Sequence, residues 1–221
     1  MSISKAILLI GTLGIAGCQV QSATPTSTSS ISGGQVQRTL GYNSDRRFMR
    51  EYGLTAAPAG YLGYCRRNPQ ECQPKTIKAQ TVTMSKQRWG ELNEINLFAN
   101  RTVIPVTDQE LYKRAEYWTL PGKYGDCEDY VLLKRKMLME KGWPESALMI
   151  TVLRDERQEG HAVLTVATDQ GDLILDNRKE LISAWSDTPY TYYLRQSRTN
   201  PTQWMALRPS TLALGPKTTN N

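Results

Sequence analysis

The chain holds one histidine, His161, in 221 residues. Zinc sites built on several imidazoles, such as the HExxH helix, cannot be assembled from it. Any thiol–imidazole couple must use that residue. No apolar run reaches the roughly 18 residues that cross a bilayer as a helix. The formal charge is +6, from 27 basic and 21 acidic residues. The basic side chains are scattered among acids, with no basic stripe and no aromatic platform motif, so nucleic-acid binding is not expected. Mild attraction to an anionic cell envelope is the most this balance supports. No internal repeat or second linker interrupts residues 38–208, which read as one domain with a core of its own. A tail, 209–221, is expected to be disordered.

At the N-terminus a single cation, Lys5, precedes a short apolar stretch that stops at Cys18. Such a stretch reads as a secretory signal, residues 1–17. Ile15-Ala16-Gly17-Cys18 resembles the lipobox of bacterial lipoproteins, in which Cys18 would be lipidated. Residue 19 is Gln rather than Asp, which by that resemblance implies sorting to an outer membrane. Residues 18–37, rich in Ser, Thr, Gly and Pro, then read as a flexible tether on the periplasmic side.

With Cys18 lipidated, three of the four cysteines remain. In an oxidising compartment Cys65 and Cys72, bracketing the turn-like RRNPQE, are the local choice for a disulfide. Cys127 is then a free thiol. It stands among Asp126, Glu128 and Asp129, an odd setting for a buried cysteine acting as a small hydrophobe.

Helical spacing over 85–100 predicts one helix, and the Thr107–Glu110 capping box predicts another over 106–118, ended by Pro121-Gly122. A third helix starts near Asp126 or Cys127 and stops at Lys141, with Gly142 as its C′ residue and Pro144 beyond. Lys134-Arg135-Lys136 reads as its solvated face. Cys127 thus falls in a first helical turn, where unpaired N–H groups and the dipole favour a thiolate. Residues 147–154, 161–168 and 173–176 alternate as an antiparallel meander, with a turn over 169–172. Its hairpin places His161 near Asp176, so a thiol, an imidazole and a carboxylate can converge. The five tryptophans read as core or rim packing, with Trp118 a candidate to line the cleft. Residues 188–197 read as a late strand or loop, or as a substrate edge.

The runs GDCEDYVLLK, GHAVLTV and GDLILDN together resemble the bacterial transglutaminase-like cysteine proteinases, which include LapG-like periplasmic proteases. The resemblance covers most of residues 60–195. It implies a papain-like α+β fold with a helix carrying Cys127 as nucleophile and an antiparallel sheet carrying His161 as general base and Asp176 as its orienter. It also implies Ca²⁺ dependence. Asp126, Glu128 and Asp129 are hard oxygen ligands of the type Ca²⁺ takes, and plain helix capping is the alternative. The activity implied is an envelope cysteine endopeptidase cleaving a surface or periplasmic protein, such as an adhesin. Three alternatives stay open: a cell-wall peptidase of the NlpC/P60 type, an acyl transferase of the transglutaminase type, and an inactive binding module. The cell-wall family follows its Asp-Cys with Ser-Gly and supplies a second histidine, whereas this chain has Glu-Asp and none.

Overall fold

The period-two stretches build the centre of a sheet, and the helical stretches pack over it. The computed structural model describes residues 47–214. The expected signal segment, Cys18 and the tether lie outside the described residues. In chain order the elements are β1 (Gly53–Thr55), α1 (Ala59–Arg67), α2 (Lys86–Thr102), β2 (Ile104–Pro105), α3 (Asp108–Tyr112), β3 (Tyr124–Gly125) and α4 (Cys127–Glu140). There follow β4 (Leu148–Arg154), β5 (Gly160–Thr168), β6 (Gly171–Leu175), β7 (Ser183–Ala184), β8 (Thr191–Gln196) and β9 (Trp204–Ala206). Seven strands form one sheet in the order β1-β9-β8-β4-β5-β6-β7, antiparallel throughout. A short parallel pair, β2 and β3, stands apart. The architecture is the expected mixture of helices and an antiparallel sheet.

Both faces of the sheet centre are covered, which is why β4, β5 and β6 are almost wholly buried. On one face Ile150, Leu164, Val166 and Leu175 share a core with Val131 and Leu138 of α4 and with Leu92 and Ile95 of α2. On the other, Leu153, Val163, Ile174 and Tyr192 pack with Met49 and Leu207. Each such aliphatic contributes about 1.5–3 kcal/mol relative to exposure. That burial fixes α4 on β5.

Helix ends follow local chemistry. Ser85 caps α2 by accepting from the Arg88 N–H at 3.2 Å. At the far end of α4, Gly142 has φ +80°, the Gly142 N–H donates to Met139 O and the Trp143 N–H to Leu138 O. This is a Schellman ending, and it needs the left-handed residue that glycine supplies without a Cβ penalty.

Three expectations are corrected. The helix expected over 106–118 is only Asp108–Tyr112, because Lys113 turns left-handed at φ 57°. The capping box is present, but beyond it Tyr117 N–H donates to the Asp108 carboxylate and Thr119 N–H to Asp129 Oδ1. Those tertiary acceptors satisfy the backbone that a longer helix would have paired. Trp118 packs its ring against Tyr61 and Trp204. Of Lys134-Arg135-Lys136, expected as a solvated face, only Lys136 is exposed. Lys134 is wholly buried, with Nζ donating to Asn96 Oδ1 at 2.7 Å, and Arg135 is paired with Glu145. Ordered chain also runs past residue 208, since Pro209–Leu214 forms a 3-10 turn with Thr211 buried. Cys65 and Cys72 are bonded, linking the end of α1 to the turn after it.

Candidate active site

Cys127 is the first residue of α4 and the free cysteine among the described residues. It is half-buried and lies between two cavities. The larger, about 530 Å³, is lined by Val106, Glu110, Asp126, Tyr130, Asn177 and Arg178 among others. The smaller, about 300 Å³, is lined by Pro58, Ala59, Trp118, Val152, His161 and Ala162. Cys127, Glu128, Glu116 and Gly160 line both, so the thiol borders two adjacent cavities. The thiol donates to Glu128 Oε2 at 3.1 Å. Burial first, and then the charges of Glu128 and Asp126, push its pKa well above the ordinary thiol value. The helix-end N–H groups act in the opposite sense, and the carboxylates win in this state.

His161 and Asp176 meet at the neighbouring strands. β5 and β6 pair Leu164 with Leu175. Continued by one step, that register sets Asp176 opposite Val163, so His161 reaches it diagonally on the same face. His161 Nε2 is 2.9 Å from Asp176 Oδ1, both buried. An Nε2–H donor to the carboxylate leaves Nδ1 as the lone-pair nitrogen, and Nδ1 is buried without a hydrogen-bond partner. Asp176 Oδ1 also accepts from the Arg178 N–H at 2.9 Å, and Oδ2 from Tyr190 OH at 2.5 Å. Burial alone would raise the Asp176 carboxyl. The His161, Tyr190 and Arg178 donors outweigh it and hold the carboxyl down at about 2.

The acids around Cys127 divide. Asp126 and Glu128 converge with Asp108, one oxygen of each lying within 4.8 Å of the others. Asp129 lies outside that cluster: its Oδ1 accepts from Thr119 N–H at 2.8 Å, and its Oδ2 is buried with no partner. Of the acids expected to form a ligand group, Asp126, Glu128 and Asp129, the first two converge with Asp108, and Asp129 is not part of that cluster among the described residues. Successive positions on a helix turn their side chains about 100° apart, so Glu128 and Asp129 cannot share one point. Asp126 Oδ2 accepts the Asp108 N–H at 3.1 Å, while Oδ1 is buried with no partner. Asp126 has no capping bond to α4, so the capping alternative does not describe it. Burial and the Asp126 charge raise Glu128 well above the carboxylate range, and burial with Asp126 and Asp108 raises Asp129 to about 7. An orphaned carboxylate oxygen in a set of three hard donors fits a cation such as Ca²⁺.

Tyr190 and Asp108 are absent from the sequence-derived site. Asp108 sits in a capping-box pattern that already explained an acid there. Tyr190 is fourteen residues from Asp176, and only the fold brings them together. Its single signal was membership of the 188–197 stretch.

Residues 51–211 match the family described as bacterial transglutaminase-like cysteine proteinase. No curated protein matches the chain. Among solved structures, calcium-bound LapG of Legionella pneumophila is 26% identical over 48% of this chain and 64% of its own, with a TM-score of 0.44. The EGTA-treated form is 25% identical over 53% and 67%, with a TM-score of 0.46.

Proposed function

Because the chain belongs to the bacterial transglutaminase-like cysteine proteinases, we propose that it is an endopeptidase in which Cys127 is the nucleophile, His161 the general base and Asp176 the orienting carboxylate. The observation that carries this reading is the buried His161–Asp176 bond, with Nδ1 left free, beside a cavity that the free thiol of Cys127 also lines. His161 Nδ1 takes the Cys127 proton. The sulfur attacks the substrate carbonyl carbon, and the oxygen takes the negative charge. The Cys127 N–H, one of those a helix start leaves without an intrahelical acceptor, is placed to stabilise that charge. As the carbonyl re-forms, the C–N bond breaks and His161 returns the proton to the departing amine. A water, deprotonated by the same nitrogen, then hydrolyses the thioester and frees Cys127. Asp176 keeps the imidazole in the required tautomer and supports its charged form.

Asp108, Asp126 and Glu128 would hold Ca²⁺. When bound, the ion supplies positive charge where three carboxylates crowd the thiol. Glu128, which accepts from the Cys127 thiol in this structure, would be drawn to the ion instead. The proposed setting is the periplasmic face of an outer membrane, with the chain anchored through Cys18 and acting on an envelope protein. The lipobox-like residues 15–18 and the Cys65–Cys72 bond support that placement.

The test is incubation of the purified protein with envelope proteins of its own cell, with and without EGTA, beside Cys127→Ala. A discrete fragment that needs both Cys127 and calcium is expected. A fragment that persists with Cys127→Ala overturns the mechanism; one that needs Cys127 but ignores EGTA removes calcium alone.

A further inference from the structure

We propose that Tyr190 is a positioning residue of this site, a fourth member that acts through Asp176. The inference rests on the Cys127–His161–Asp176 reading above. A carboxylate that orients a histidine must itself be held, because rotation about its last bond swings the accepting oxygen away. Asp176 is held at three points. Its main-chain carbonyl accepts from Asn100 Nδ2 at 2.9 Å, its Oδ1 from the Arg178 N–H and from His161, and its Oδ2 from Tyr190 OH. Oδ2 has no other donor among the described residues, so the rotation is blocked on that side by one hydroxyl.

The same ring also confines the imidazole. Tyr190 meets His161 edge-on, with centroids 6.0 Å apart and planes at 76°. It leans in turn on Tyr192, whose hydroxyl is bonded to Thr188 Oγ1 at 2.8 Å. The chain from 188 to 192 therefore presents Tyr190 to the site from the segment that leads into β8, separate from the strands β5 and β6 that bring in His161 and Asp176. Charged groups near the hydroxyl are Asp176, Glu156 and Arg178, and Lys134 faces Asp176 from α4.

Tyr190→Phe keeps the ring and removes only the hydroxyl. Two results are expected. On the envelope substrate, kcat falls about tenfold with KM unchanged, the pattern of an interaction used in turnover rather than in substrate binding. In alkylation of Cys127 by iodoacetamide across pH, the alkaline limb moves upward, because a carboxylate relieved of one donor stabilises the imidazolium more strongly. A packing role would not move that limb. Tyr190→Leu, which also removes the ring, should lower kcat further. Tyr190→Phe matching the parent in both kcat and the alkylation profile overturns the proposal, whatever Tyr190→Leu does. His161→Ala keeps the two failures apart. If it alkylates with the parent's profile, the thiol–imidazole reading itself fails; if it loses that profile while Tyr190→Phe keeps it, only Tyr190 is dismissed.

Discussion

Lys134 offers a direct test of the packing between α2 and α4. Its ammonium is fully buried with one hydrogen-bond acceptor, Asn96 Oδ1, and burial lowers its pKa from 10.5 to about 7, opposed in part by the Asp176 charge. An unfolded lysine keeps its proton up to about 10.5. Between the two values the unfolded chain therefore binds more protons at this group than the folded one, and stability must rise with pH. Integrating that difference from pH 7 to 9 gives a gain of about 2 kcal/mol. Other groups titrate in the same window, among them Glu128 and Asp129, and their raised pKa values act in the opposite direction. A comparison with Lys134→Met cancels them. Methionine keeps the length and apolar stem, drops the charge and leaves Asn96 Oδ1 without its donor. Urea unfolding of both proteins at pH 7, 8 and 9, at fixed calcium, should show the parent gaining about 2 kcal/mol on the variant across the series. Parallel stability curves would refute the buried, proton-shedding lysine.

Two further outcomes follow from named contacts. Asp108→Asn should sharply reduce the rise in melting temperature on adding Ca²⁺, whereas Asp129→Asn, outside the three-carboxylate cluster and bonded to Thr119 N–H, should keep that response; the reverse ranking would favour Asp129 as a ligand. Gly142→Ala meets no heavy atom within 4 Å but must adopt φ +80°, so it should cost about 1 kcal/mol in urea unfolding, and no loss at all would show that the α4 ending relaxes.

What the sequence makes legible depends on how far apart the cooperating residues lie. Helix α4 could be bounded at both ends because its signals are local: Asp126-Cys127 opening it, Gly142 and Pro144 closing it. The hairpin of β5 and β6 is likewise set by its own turn, although the register runs differently from the simplest folding of 161 onto 176. The strand pairs Leu164 with Leu175, and only the diagonal reach of an imidazole brings His161 to Asp176. Cys127 and His161 line one cavity, and the helix start and the hairpin that carry them are both set by local signals.

Asp108, Lys134 and Tyr190 were illegible for one shared reason. Each has an ordinary local explanation that its partner overrides. Asp108 looks like the opening of a helix, and a helix does open there; yet its carboxylate is shared between Tyr117 N–H and the Asp126–Glu128 group, and that cost ends α3 after five residues. Lys134 looks like one of three surface cations, but it stands four positions before Leu138, one turn away, so it occupies the buried stripe and must find Asn96 of α2. Tyr190 looks like one aromatic among several before β8. In each case a polar side chain is placed by a partner from another element, and the cost of burying it is offset only after the fold has formed. A sequence pattern records the cost, as a misplaced charge or an acid too many beside a thiol, without naming the partner that repays it. The crowding of Asp126, Glu128 and Asp129 around Cys127 was such a record. Its solution divides the acids, two turning to Asp108 and one to Thr119, which a linear reading could not separate.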